Sequence, residues 1–198
     1  MTGRLVLITG AVRSGKSRFA EQLAAQLSEG TSSGVTYVAT SRVWDEEMAA
    51  RVTAHREGRP AAWRTAEEPE RLAEAVEGAR AGGAGVVLVE SVDMWVSNRL
   101  MALHPVEGDE QSKLDPVRAR ELEEALLAEA AQLTAARGEG HLVLVTVEAG
   151  WGVVPPYPLG RAFRDLLGRV NSAVAATADE VYLMVAGLPL DVKRLTAR

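Results

Sequence analysis

The chain reads as an α/β protein in which a mostly parallel sheet is flanked by helices. Three observations carry that expectation. Five apolar runs, at residues 5–8, 35–39, 86–89, 142–145 and 181–186, are rich in Val, Leu and Ile and lack strict alternation, as strands buried on both faces do. Segments of helical periodicity separate them, at about 16–28, 45–57, 68–81, 93–103, 116–137 and 158–177. The first run leads straight into Gly10-Ala11-Val12-Arg13-Ser14-Gly15-Lys16-Ser17, which fits G-x-x-x-x-G-K-[ST], the phosphate-binding loop that joins a strand to a helix. Strands alternating with helices imply parallel pairing through right-handed crossovers. Ligands of such sheets lie beyond the carboxyl ends of the strands. The residues that end strands are therefore the candidates for function.

The first strand ends in the glycine loop. Its glycines let backbone N–H groups curl around a phosphate, and the following helix N-terminus adds partial positive charge there. Lys16 supplies a movable cation for the outer phosphates, and the Ser17 hydroxyl is a ligand for Mg²⁺. The second strand ends at Ala39, followed by Thr40 and Ser41; on spacing alone these hydroxyls read as turn and capping groups. The third apolar run ends in Glu90, an acid placed as in a Walker B element, where a carboxylate faces Mg²⁺. The rival reading makes Glu90 the cap of the next helix. The fourth run leads to Glu148-Ala149-Gly150-Trp151-Gly152-Val153-Val154-Pro155-Pro156, a shaped loop at the ligand edge or a rigid connection. The helix from Pro116 is the clearest of the set, with Leu122, Leu126 and Leu133 on one stripe and Gly138 as its stop. Arg161, Arg164 and Arg169 give the last long helix a basic face of the kind that is usually solvated.

Composition narrows the class. At 198 residues, 47% hydrophobic and 25% charged, the chain fits one globular domain spanning 1–198. A net charge of −5 argues against nucleic acid as the main partner. The absence of cysteine excludes disulfides and thiolate chemistry. No apolar run approaches the ~20 residues of a membrane span, and the N-terminus does not read as a signal peptide, so a cytoplasmic setting is expected.

Three histidines are present: His55, His104 and His141. His55 continues the stripe of Met48 and Val52 near the end of a helix that Gly58 and Pro60 stop. From spacing alone it reads as a half-buried histidine at a helix C-terminus. The sharper reading is a nucleophile, since a neutral imidazole can attack an α-phosphate and Arg56 and Arg59 suit phosphate oxygens.

Further blocks carry a family resemblance. They are Thr9-Gly10-x-x-Arg13-Ser14-Gly15-Lys16-Ser17, Tyr37-x-Ala39-Thr40-Ser41, and Asp45-x-Glu47-Met48-x-x-Arg51-x-x-x-His55-x-x-Gly58-Arg59-Pro60. Others are Trp63-x-Thr65-x-Glu67, Trp95-x-x-Asn98, Gly150-x-Gly152-x-Val154-Pro155, Phe163-Arg164-Asp165-x-x-Gly168-x-x-Asn171 and Ala178-Asp179-Glu180-Val181. Together they resemble the bifunctional adenosylcobinamide kinase / adenosylcobinamide-phosphate guanylyltransferase family, from Leu5 to about Lys193. The resemblance implies a RecA-like P-loop nucleotide-binding domain. It implies phosphorylation of adenosylcobinamide with ATP or GTP, then transfer of GMP from GTP through a GMP–histidine intermediate. His55 matches the guanylylated histidine and Lys16 the phosphate-loop lysine. The implied nucleotide contacts are Gly10, Ala11, Val12, Arg13, Ser14, Gly15, Lys16, Ser17, Ala39, Thr40, Ser41, Arg56, Glu57, Gly58, Arg59, Glu67 and Glu90, with Ser17 and Glu90 toward Mg²⁺. A homo-oligomer, in the family a ring-like trimer, is implied as well. The chain departs from the family at Glu90-Ser91, where Asp-Cys is common, and at Val147-Glu148-Ala149-Gly150, where Asn-Glu-Val-Gly is common.

Two other readings share the phosphate loop. A different small-molecule P-loop kinase would need no histidine in the His55 block. A GTP-reading regulatory module would carry the Asn-Lys-x-Asp of GTPases, which this sequence lacks.

Overall fold

The computed structural model describes residues 3–29, 33–42, 59–104 and 116–196. Seven strands form one sheet in the order β3-β2-β4-β5-β1-β6-β7. They are β1 (Leu5–Gly10), β2 (Gly34–Ala39), β3 (Arg64–Glu67), β4 (Ala84–Glu90), β5 (His141–Val145), β6 (Glu180–Val185) and β7 (Leu188–Asp191). Six helices of the described residues are numbered α1 (Lys16–Glu29), α2 (Leu72–Ala81), α3 (Val92–Leu103), α4 (Pro116–Ala135), α5 (Pro158–Thr177) and α6 (Val192–Thr196). All pairings are parallel except the β6–β7 hairpin. The fold is thus the α/β, mostly parallel architecture expected. One strand, β5, lies between β1 with its glycine loop and β4 with its acid, as in the RecA-like class.

The missing alternation in the strands has a direct cause. Leu5 and Leu7, Val87 and Val89, and Leu142 and Leu144 pack on the sheet face covered by α2, α3, α4 and α5. Their chain neighbours Val6 and Ile8, Val86 and Leu88, and Val143 and Val145 pack on the opposite face against α1. Both sets are fully buried, so the middle of each central strand is apolar at successive positions. Helix α1 presents Ala20 and Ala24 to the sheet, small residues one turn apart that let it sit close above the strand ends.

Several expectations need correction. The strands β3 and β7 were not anticipated. Arg64-Thr65-Ala66-Glu67 is polar and largely exposed because it lies on the sheet edge. Leu188-Pro189-Leu190-Asp191 lies on the other edge, where a proline costs no ladder bond. The run 181–186 is cut at Val185: Ala186 and Gly187 have φ of 50° and 87° and make the tight turn of the hairpin. The helix expected from 68 begins at Leu72, because the Glu68 carboxylate accepts bonds from the Glu70 and Arg71 N–H groups and makes a turn first. The helix expected to 137 ends at Ala135. The helix expected at 45–57 lies outside the described residues. Among those described, no helix is long and apolar enough to cross a membrane.

Candidate functional site

The glycine loop turns at the carboxyl end of β1 because its sequence tolerates the conformation. Gly10 has φ of 146°, and a Cβ there would lie 2.7 Å from the Met184 carbonyl. Gly15 has φ of 94° and abuts Gly187 of the hairpin turn. Gly187 N–H also donates to the Ser14 carbonyl at 3.0 Å, so the β6–β7 turn buttresses the loop from the side. Arg13 occupies a left-handed position at φ 58°, and Val12 is 80% exposed at the loop's outer edge. The Ser14 hydroxyl is buried and has no hydrogen-bond partner among the described residues.

Lys16 folds back over the loop. Its ammonium donates to the Gly10 carbonyl at 3.1 Å and the Ala11 carbonyl at 2.7 Å. Burial pulls its pKa below the ordinary lysine value, against the opposing fields of Asp93 and Glu90. Ser17 donates its hydroxyl to Oε1 of Glu90, and Tyr37 donates to Oε2 of the same carboxylate at 3.0 Å. Two sheet partners thereby converge on the loop: β4 brings Glu90, and β2 brings Tyr37. The Glu90 carboxylate is turned toward α1, and Ser91 is the residue that precedes α3. Asp93, in the first turn of α3, has its carboxyl pushed above the ordinary range by burial, against the Ser91 hydroxyl and the Lys16 charge. Its Oδ1 has no partner among the described residues.

The donor set suits a hard divalent cation. A serine hydroxyl and a carboxylate at the phosphate loop are what Mg²⁺ takes beside phosphate oxygens and water. Among the described residues no group of three or more His, Asp or Glu forms a metal cage.

The neighbouring strand ends are tied to each other. Thr40 Oγ1 donates to the Ser91 carbonyl at 2.8 Å and accepts from Ser91 N–H at 2.6 Å. Asn98 of α3, 7% exposed, donates one amide hydrogen to the Thr40 carbonyl at 2.8 Å and the other to Pro69 at 3.0 Å. Glu67 ends β3 in register with Ala39, which stands opposite Glu90 on its other side. Ala39, Thr40, Glu67 and Glu90 therefore share one stretch of the carboxyl edge, with Ser41 next in the chain. Arg59 takes a different position from an open phosphate clamp. Its side chain is 6% exposed, and its guanidinium lies 3.2 Å from the centroid of the Tyr37 ring. His55, Arg56, Glu57 and Gly58 lie outside the described residues.

On the other side of the loop, the segment after β5 is anchored to it. Thr9 Oγ1 donates to the Glu148 carboxylate at 2.7 Å, and Glu148 N–H reaches the Gly10 carbonyl at 3.4 Å. Asn171 of α5 accepts the Thr146 hydroxyl at 2.8 Å and donates to the Val147 carbonyl at 3.0 Å. Arg161 donates to the carbonyls of Pro155 and Pro156 at 3.1 and 2.7 Å. The basic face of α5 is thus partly committed to holding this segment. Between these anchors Trp151, Val153, Val154 and Tyr157 are all more than half exposed.

Sequence reasoning missed Tyr37, Asp93, Asn98 and Asn171 as working side chains. Three of the four stand in the family-like blocks, so their presence was visible but their partners were not. Asp93 had a weaker signal, an acid three residues beyond Glu90.

The sequence matches a known family along most of its length. The family model described as cobinamide kinase / cobinamide phosphate guanyltransferase matches residues 6–192. The chain is 44% identical over 195 residues to the bifunctional adenosylcobalamin biosynthesis protein CobU of Escherichia coli (strain K12), covering 96% of this chain and 99% of that protein. It is 42% identical over 190 residues to CobU of Salmonella typhimurium, with 96% and 99% covered. It is 38% identical over 187 residues to CobP of Pseudomonas aeruginosa, with 94% and 96% covered. Among solved structures, the flagellar accessory protein FlaH of Methanocaldococcus jannaschii superposes with a TM-score of 0.46 at 15% identity, over 95% of this chain and 75% of that one. With the phosphate loop, the strand-end acid and the full-length match in agreement, the chain belongs to the cobinamide kinase / cobinamide phosphate guanyltransferase family.

Proposed function

We propose that the chain phosphorylates adenosylcobinamide with ATP or GTP and then transfers GMP from GTP to the resulting phosphate, giving adenosylcobinamide-GDP for cobalamin biosynthesis. The observation that carries the reading is the convergence of Lys16, Ser17 and Glu90 on one glycine loop in a chain of this family. In the kinase step the acceptor hydroxyl attacks the terminal phosphorus, the bond to the β-phosphate oxygen breaks, and the hydroxyl proton is released. The loop N–H groups and the α1 N-terminus hold the phosphates. Lys16 exchanges its two loop carbonyls for phosphate oxygens and offsets the charge that builds on them. Bound at Ser17 and Glu90, Mg²⁺ would neutralise the outer phosphates.

The acceptor approaches across the segment after β5. That segment emerges between the glycine loop and Glu90, and Trp151 stands within about 11 Å of Glu148 by chain reach alone. Its exposed apolar side chains suit the face of a corrin macrocycle, whose hydroxyl-bearing arm would extend to the phosphates.

In the second step an imidazole nitrogen of His55 attacks the α-phosphorus of GTP and pyrophosphate departs. An oxygen of adenosylcobinamide phosphate then attacks the same phosphorus and frees the histidine. Ala39, Thr40, Ser41, Arg56, Glu57, Gly58, Arg59 and Glu67 complete the nucleotide contacts. The protein works as a homo-oligomer, in the family's trimeric form, in the cytoplasm.

Incubation with GTP radiolabelled in its α-phosphate and Mg²⁺, followed by denaturing electrophoresis, tests the reading. A covalent label that is stable in alkali and labile in acid is expected, and it should vanish in His55→Asn while kinase turnover persists. A labelled His55→Asn chain, or an alkali-labile label on the parent, would remove His55 as the nucleophile.

A further inference from the structure

Glu90 has three side-chain torsions and ends its strand, so nothing in its own backbone decides where its carboxylate points. Two hydroxyls decide it. Ser17 donates to Oε1 and Tyr37 to Oε2, the latter at 3.0 Å. Tyr37 lies on β2, two residues before Ala39, and Ala39 is the register partner of Glu90. The phenol therefore runs along the sheet toward the carboxyl edge on the α1 face, where Leu88 and Val86 also pack. Tyr37 is 3% exposed. Its phenolic O–H is the donor in the pair with Glu90, since an ionised carboxylate can only accept.

The far side of the ring is closed by Arg59. A guanidinium buried with no hydrogen bond to its Nε among the described residues is expensive, and its ion pair with Glu21 of α1 is long, at 3.9 Å. What it gains at that place is the flat contact with the Tyr37 ring. The ring is thus held between α1, the sheet and Arg59, and only its hydroxyl reaches the phosphate site.

We infer that Tyr37 is a positioning residue for the phosphate site: it pins Oε2 of Glu90 so that Oε1 stays on the Ser17 side, where a divalent cation shared with the nucleotide would bind. The inference rests on reading Glu90 as the cation-facing acid. Partners that orient a ligating carboxylate typically contribute ten- to hundred-fold in metal affinity.

The test is calorimetric titration of Mg²⁺ into the full chain saturated with a non-hydrolysable ATP analogue, with metal-free analogue binding and thermal melting alongside. Glu90→Gln should weaken the Mg²⁺ response. Tyr37→Phe, which removes one oxygen and keeps the ring, should raise the Mg²⁺ concentration for half-saturation about tenfold. Its metal-free analogue affinity should be unchanged. In the Glu90→Gln background Tyr37→Phe should add nothing, as required when one residue acts through the other. If Glu90→Gln shifts the titration and Tyr37→Phe does not, or if the two effects add in full, Tyr37 has no positioning role. If Glu90→Gln leaves the Mg²⁺ response intact, the cation-facing reading of Glu90 falls and the inference with it.

Discussion

Asn98 offers the sharpest test of how the strand ends are held. It is buried in α3 and spends both amide hydrogens on carbonyls from separate segments, Thr40 after β2 and Pro69 after β3. Replacement by leucine keeps the approximate volume and leaves both carbonyls without this donor. Each costs about 1–3 kcal/mol, so Asn98→Leu should destabilise the protein by about 2–6 kcal/mol. For a domain of this size, at about 2–4 °C per kcal/mol, that lowers Tm by roughly 4–24 °C. Scanning calorimetry at pH 7 measures it. Asn98→Asp makes the mechanism specific, because an ionised carboxylate offers the two carbonyls no donor while a protonated one offers a single O–H. That variant should be more stable relative to the parent at pH 5 than at pH 8. A Tm for Asn98→Leu within about 2 °C of the parent would refute the reasoning, because it would mean the two carbonyls are satisfied without Asn98.

Lys16→Ala should abolish kinase turnover while leaving Tm nearly unchanged, since the ammonium rests on loop carbonyls and not in the core; turnover at the parental rate would remove the phosphate-loop assignment. Trp151→Ser should raise the KM for adenosylcobinamide about tenfold or more with the KM for ATP unaltered, as expected from about 1.5–3 kcal/mol of lost apolar contact; equal changes in both would place Trp151 elsewhere. His141 bears on pH dependence. Its Nδ1 accepts a bond from Arg4 N–H at 3.2 Å, and burial together with Arg4 and Arg80 holds its pKa below the usual 6.5. The unfolded chain therefore binds the proton first, so stability should fall as pH drops below about 6.5 and level off once the folded form protonates as well. His141→Asn should flatten the Tm profile between pH 7 and 5; an unchanged profile would show that His141 does not contribute.

Much of the site was legible because it is local. The glycine loop is a short contiguous motif whose conformation its own residues permit, and the strand before it and helix after it are set by short-range pattern. The rule that ligands sit at the carboxyl ends of parallel strands then drew attention to Glu90 without any knowledge of strand order, whereas Ala39 and Thr40 entered only through the family resemblance. The edge strands β3 and β7 escaped because an edge strand needs neither an apolar run nor a full set of N–H groups. Arg64-Thr65-Ala66-Glu67 and Leu188-Pro189-Leu190-Asp191 become strands only through the neighbours they pair with. Glu90 illustrates the boundary: as a strand-end acid it stood between a metal role and a helix cap, and its contacts with Ser17 and Tyr37 direct the carboxylate away from α3.

The sequence by itself determined the fold class, the phosphate loop and the family, since each depends on residue types at fixed short spacings. Only the tertiary structure decided which side chains act together. It inserted β5 between the glycine loop and Glu90, so that the Trp151 segment leaves the sheet between them. It laid Arg59 against the Tyr37 ring, where neighbouring arginines had suggested a phosphate clamp. It gave Asn98 two carbonyls from distant segments. The physical reason is chain separation. Ser17 and Glu90 are 73 residues apart and Tyr37 and Glu90 are 53 apart, and such pairs meet only because the sheet has closed around its core.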